Sequence, residues 1–255
     1  MDDFYTELGK SLQTGFVDRS IHSKKEYCPS LLTNNKKTGR KILTTINKHL
    51  LKCDEFWFSV AFVTTSGVST LINTLEELEK KGVKGKLLVS QYLNFTQPEA
   101  LRKLLKFKNI ELKIAVNGDF HSKGYLFKRA ELYDLIIGSS NLTASALCSN
   151  KEWNLKVSAL TNSDLICHTL NEFESEFGLA VSVNQDLISS YESIYNKKYE
   201  YDKKFNSHVD DFKKIAPNQM QQDALRNIDK IRLDGKSKAL LISATGTGED
   251  LLVGL

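Results

Sequence analysis

Paired cysteines are missing from this chain. Its four cysteines, Cys28, Cys53, Cys148 and Cys167, form no CxxC pair and follow no regular spacing. That argues against a disulfide framework or a zinc site and for a reducing compartment. Long apolar runs are missing too: the longest, 56–63 and 132–137, fall far short of the roughly 20 residues a membrane helix needs. The first ten residues are acidic and carry no apolar signal region. Neither charge sign is in large excess, since 35 basic and 31 acidic residues leave a formal +4, a balance that permits nucleic-acid binding without requiring it. No internal repeat is visible. The expectation is a soluble cytoplasmic protein with no membrane association. Its length suits one sizeable packed domain, or one with an appendage, and its composition argues against long disorder.

What is present is an alternation of helical and extended patterns. The segment before about Thr38 is polar and irregular. Residues 43–53 have amphipathic helical spacing, and 55–63 read as a buried strand rich in aromatic and branched residues. A second helical pattern, 66–82, ends at Gly82, a plausible C-cap. Strand 84–93 follows, then a short helix with Pro98 near its start, then strand 110–116. Two further strands surround 121–141; strand 152–160 and a helix closing at Gly178 complete the series. Strands alternating with helices predict an α/β fold, a mixed sheet flanked by helices, with a hairpin in its second half.

Within that hairpin His121 and Lys123 stand two apart, and on a strand they share a face. The next strand ends in Gly138-Ser139-Ser140-Asn141, and Glu152 follows eleven residues later. Folded back, the second strand brings Asn141 close to the His/Lys pair. A nucleophilic imidazole, a fixed cation, an amide donor and a carboxylate are the groups phosphoryl transfer needs when no metal takes part. His22, His49, His168 and His208 keep no such company and are read as ordinary surface or core residues.

These residues resemble the HxK…GSxN signature of the phospholipase D superfamily, with Glu152 where its nuclease members carry a Glu. The resemblance spans about Thr38 to Gly178. It implies that His121 attacks a phosphodiester and forms a phosphohistidine, that Lys123 and Asn141 stabilise the non-bridging oxygens with help from Ser139, and that Glu152 orients or charge-balances the imidazole. No cofactor or metal is implied. One departure is Lys128 at the position, five past the Lys, where the family has Asp; some metal-independent restriction endonucleases of the superfamily lack that Asp too. The gap before Gly138 is also long, with 128–132 resembling an enlarged hairpin turn. Because only one HxK is present, a homodimer sharing one active site is the simplest way to supply a second His as leaving-group acid.

Basic residues cluster at Lys24, Lys25, Lys36, Lys37, Arg40 and Lys41, and again at Arg102, Lys103, Lys106, Lys108 and Lys113, with Lys128 and Arg129 after the HxK strand. Flanking the site, they suit a phosphate-tracking surface and DNA as partner. Residues 184–214 are helical and charged, a linker or exposed arm. Residues 215–255 resemble the opening of a superfamily 2 helicase, with Gln221 as the adenine-recognising Gln and 237–248 as strand and phosphate loop. A Walker loop continues with Lys and Ser/Thr; here Glu249 and Asp250 stand instead, so no ATP binding is expected. The organisation expected is thus an extension (1–37), a nuclease domain (38–183), a linker (184–214) and the start of a motor (215–255). Two other readings stay open: a non-catalytic nucleic-acid-binding module, and a lipid phosphodiesterase.

Overall fold

A computed structural model describes residues 2–90, 95–115 and 120–197, together with 226, 227, 230, 233 and 234. The chain divides into two compact units, 1–196 and 197–255. Nearly all of the second, including Gln221, Glu249 and Asp250, lies outside the described residues.

The elements of the first unit are α1 (Asp2–Phe16), β1 (Ser30–Leu32), α2 (Ile42–Leu50), β2 (Glu55–Val60), α3 (Thr65–Lys81), β3 (Lys84–Ser90), α4 (Pro98–Leu104) and β4 (Ile110–Ala115). There follow β5 (Lys123–Arg129), β6 (Leu132–Gly138), α5 (Ala144–Cys148), β7 (Asn154–Leu160), α6 (Asp164–Leu179) and β8 (Val181–Ser182). Eight strands make one mixed sheet in the order β1-β7-β6-β5-β2-β3-β4-β8. Strands β2, β3 and β4 are parallel, as the intervening helices require; β5, β6 and β7 form an antiparallel meander. The predicted mixed sheet flanked by helices is the observed fold.

Alternation along the strands decides which face each side chain covers. Phe56, Phe58 and Val60 of β2, with Tyr125 and Phe127 of β5, are buried in the larger core with α2, α3 and α4. Phe58 meets the Tyr125 ring edge-on at 4.9 Å and that of Phe127 at 5.7 Å, arrangements worth about 0.5–1.5 kcal/mol each beyond area burial. The opposite face packs on α6 through Phe173 and Phe177 at one end and Ile166 at the other. Behind β6, Asp134 is buried. It accepts from Ser158 at 2.5 Å and pairs with His49 of α2 at 3.1 Å. Burial pushes its carboxyl up, but His49, Ser158 and Lys156 outweigh that and hold it below the usual carboxylate range.

The structure departs from the sequence pattern in four places. The segment expected to be irregular contains α1 and β1; β1 pairs antiparallel with β7, a tertiary pairing three residues cannot announce. The arm expected at 184–214 is helical over 185–197 and is not exposed there: Ile188 and Tyr191 enter the larger core, and the Tyr191 hydroxyl donates to the Thr96 carbonyl at 2.7 Å. The turn expected to be enlarged is tight. Lys128, Arg129 and Leu132 all belong to paired strands, leaving Ala130 and Glu131 as the loop, with Ala130 left-handed at φ 52°. Finally, α3 stops at Gly82 (φ 71°) as its pattern suggests, whereas α6 runs through Gly178 to Leu179 and is capped by Ala180.

Candidate active site

The sheet's register gathers the motif residues at one end. β2 runs out at Val60, directly opposite Lys123, where β5 begins. β6 ends at Gly138, opposite Asn154, where β7 begins. His121 lies just before β5, Asn141 just after the β6 turn, and Glu152 just before β7. Leu142 then bridges to Val63, and its carbonyl accepts from the N–H of Thr64, the N-cap of α3. The turn is thereby tied to the chain that leaves β2.

Lys123 and His121 interact directly. The ammonium lies 2.9 Å from Nδ1 and 3.2 Å from Nε2 of the ring, and 2.7 Å from the His121 carbonyl oxygen. A neutral imidazole has one nitrogen lone pair to accept from such a donor. Partial burial pulls the Lys123 pKa below the usual lysine range, and the Glu152 charge only partly opposes it.

The GSSN turn is clamped from three sides. A Cβ on Gly138 would fall 2.2 Å from the Trp153 carbonyl oxygen and 2.6 Å from the Asn154 Cα, so only glycine permits this approach of β6 to β7. Ser139 donates its N–H to the Trp153 carbonyl at 3.1 Å, and its Oγ accepts from the Trp153 N–H at 3.1 Å. The same hydroxyl donates to a Glu152 carboxylate oxygen in a short hydrogen bond. Ser140 is fully buried. Its N–H donates to Asn154 Oδ1 at 3.3 Å, its Oγ accepts from Asn154 Nδ2 at 2.9 Å, and its carbonyl accepts from the Tyr125 hydroxyl at 2.9 Å. Asn141 is buried, and its Oδ1 accepts from the Phe62 N–H at 3.2 Å. That bond fixes the amide so that Nδ2, which has no partner among the described residues, is the group left to donate.

All five predicted residues thus stand at one end of the sheet, but their contacts divide them. His121 and Lys123 form one pair, Ser139 and Glu152 another, and Asn141 is held separately by the β2 exit. The charge of Glu152 also reaches the buried Tyr125, whose pKa is raised first by burial and then by that carboxylate. Tyr125 and Asn154 were not among the residues singled out from sequence. Only Tyr125 carried a signal, two residues after Lys123 on β5; Glu152 precedes β7, so strand periodicity does not reach Asn154 from it.

Lys128, at the departure from the family pattern, is at the far end of β5, five residues and about 16 Å from Lys123 by strand rise. It pairs with Glu55 at 3.5 Å. Of the second basic group, Arg102 is engaged by Glu192 at 2.6 and 2.8 Å, Lys113 lies over the Phe177 ring and Arg129 pairs with Glu26. Lys24, Lys25, Lys36, Lys37, Arg40 and Lys41 are exposed. No helix among the described residues is long and apolar enough to cross a membrane.

A mixed sheet with one HxK at the start of a strand and GSxN at the end of its neighbour defines a phospholipase D-like domain. The family model for the phospholipase D-like domain of cardiolipin synthase matches residues 43–177, more than half of the chain, and the chain belongs to that family. Among solved structures it is similar to Nuc, a phospholipase D family member from Salmonella typhimurium. That match has a TM-score of 0.50 and 15% identity, and covers 62% of this chain and 99% of that one. It is also similar to phosphatidylserine synthase from Haemophilus influenzae, with a TM-score of 0.50 and 12% identity, over 71% of this chain and 46% of that one. NucT from Helicobacter pylori matches with a TM-score of 0.48 and 14% identity, over 61% of this chain and 98% of that one. No curated protein matches the chain.

Proposed function

We propose that this chain is a metal-independent phosphodiesterase that cleaves DNA through a phosphohistidine on His121. The observation that carries the reading is the contact of Lys123 with both His121 ring nitrogens, at 2.9 and 3.2 Å, at the same end of the sheet as Asn141, whose Nδ2 has no partner among the described residues. A phosphodiester entering here draws the ammonium from the ring to a non-bridging oxygen, and Asn141 Nδ2 donates to the same phosphate. One His121 nitrogen then attacks phosphorus, the P–N bond forms, and the P–O bond to the leaving strand breaks. Water afterwards displaces the histidine and the P–N bond breaks. Glu152, anchored by Ser139, balances the charge of the Lys123 and His121 pair, so Ser139 acts here through Glu152.

The leaving oxygen needs a proton from the side opposite to attack. We assign that role to His121 of a second copy in a two-fold dimer. Support comes from an exposed apolar row beside the site: Leu31, Leu155 and Ile137 stand in register across β1, β7 and β6. They are 58%, 36% and 51% exposed, and Trp153, next to Glu152, is 71% exposed. Such a patch suits burial against a copy of itself. The exposed lysines at 24, 25, 36, 37 and 41, with Arg40, suit a DNA backbone, and the helicase-like 215–255 suits a restriction-type or related DNA-processing assembly.

The test is cleavage of end-labelled DNA by the wild type and by His121→Ala at matched folding. The reading requires wild-type cleavage and background rates for the variant. Substantial residual cleavage by His121→Ala, or hydrolysis of phospholipid vesicles with DNA left intact, would overturn it.

A further inference from the structure

A cavity of about 540 Å³ opens beside the His121 and Lys123 pair, between the outer face of the sheet and α6. Its size falls within the range that holds small organic groups, about 300–1,000 Å³. Its floor is made of small residues: Ser59 of β2 stands opposite Gly124 of β5, and Ser59 and Ser122 hydrogen-bond to each other. Gly124 has no conformational reason to be glycine, since its φ is not positive. It has no steric reason within the chain either, because a Cβ there meets nothing within 4 Å. A glycine inside a strand weakens it and often marks the close approach of a ligand. The space that Gly124 leaves is the cavity.

The walls and rim indicate what enters. Trp57, Phe120 and Phe173 supply aromatic surface. Along the α6 rim stand Glu172 and Glu176. These carboxylates repel a phosphate, which leaves the phosphodiester at Lys123, yet they accept well from the amino groups of a base. An acyl chain would use the apolar walls but offers nothing to the carboxylates.

We propose that this cavity takes the unstacked base of a nucleotide adjoining the scissile phosphate, stacked on aromatic wall residues with its amino edge toward α6. The proposal rests on the DNA-cleaving reading above and adds a base subsite to it. Strands whose bases are already unstacked enter most readily, so single-stranded or unpaired DNA is the substrate form it favours.

The test compares single-turnover cleavage of an oligo(dC) strand with that of an all-abasic strand of equal length, which keeps every phosphodiester. Wild type should cut oligo(dC) about tenfold faster or more, the order of one base–aromatic stack. Gly124→Val fills the floor and should bring the two rates together. Glu172→Ala, a change at an exposed position that folding tolerates, should shrink the preference about threefold, the order of one hydrogen bond. Equal wild-type rates on the two strands, or a full preference retained by both variants, would overturn the base subsite while leaving the nuclease reading intact. Cleavage of neither strand by the wild type would overturn both. Gly124→Val that blocks phosphatidylcholine hydrolysis would place a lipid in the cavity, and a variant that turns a dimer into a monomer in sedimentation would place a second copy there; either overturns the proposal.

Discussion

Asn141→Asp separates the site's chemistry from its architecture. The substitution keeps an oxygen for the Phe62 N–H, which Asn141 Oδ1 now accepts at 3.2 Å, and replaces Nδ2 with a second oxygen. The fold should therefore hold, while the phosphate loses a donor and gains a like-charged neighbour. Removing one preorganised donor from a developing oxyanion costs about 2.7–4 kcal/mol, a factor of about 10²–10³ in rate. The added repulsion puts the expected loss at the upper end, about 10³ or more. Asn141→Ala is the control. It also removes the donor but leaves the Phe62 N–H without its acceptor, a cost of about 1–2 kcal/mol in stability. In a domain of this size that lowers Tm by about 2–8 °C, at about 2–4 °C per kcal/mol. Single-turnover cleavage of a labelled oligonucleotide gives the rate, and thermal unfolding gives the stability. Asn141→Asp within about threefold of the wild-type rate would refute the assignment of Asn141 as a phosphate donor.

Four further outcomes are expected. DNA cleavage should persist in excess EDTA, because the proposed mechanism meets the phosphate charge with Lys123 and Asn141; loss with chelation and recovery with magnesium in the cleavage assay would contradict this. The alkaline limb of the pH–rate profile should fall below the ordinary lysine range, because the depressed Lys123 pKa releases its proton early as pH rises, and Lys123→Arg should move any surviving limb upward. Asp134 has a depressed folded pKa, so its stabilisation is present above its unfolded value, near 4, and is lost as pH falls through the folded pKa; Asp134→Asn should flatten the acid limb of stability measured by denaturant unfolding. Ala130→Gly should be neutral to stabilising by up to about 1.5 kcal/mol in the same assay, since relief of the left-handed residue, about 1–2 kcal/mol, is offset by about 0.5–1 kcal/mol of glycine chain entropy.

Those predictions draw on features that differ in how plainly the sequence carried them. The alternation of β2 and β5 and the amphipathic spacing of α2 and α3 are local, so periodicity alone located the central sheet and its covering helices. Strand β1 is three residues long and exists through its pairing with β7. The helix over 185–197 did carry a signal, Ile188, Tyr191 and Tyr195 at helical spacing, but the surrounding charges masked it. The β5–β6 turn was obscured because Ala130 and Glu131 are not residues that favour a two-residue hairpin. In the site, His121, Lys123 and Asn141 were legible because their spacing maps directly onto two adjacent strand ends. The contacts around them were not: Tyr125 and Asn154 hydrogen-bond to Ser140, and Ser139 to Glu152, through the register of β5, β6 and β7. The separation of Lys128 from the site likewise follows only from β5 running straight past it.

The central claim, a phosphohistidine at His121, is tested most directly by quenching wild-type protein with end-labelled DNA in alkaline detergent during turnover and digesting it for mass spectrometry. Alkaline conditions preserve the P–N bond, which acid cleaves. The account predicts a DNA fragment joined through phosphorus to the peptide containing His121, absent from His121→Ala and released by mild acid. Efficient cleavage with no such adduct under single-turnover conditions, or an adduct on any other residue, would contradict it.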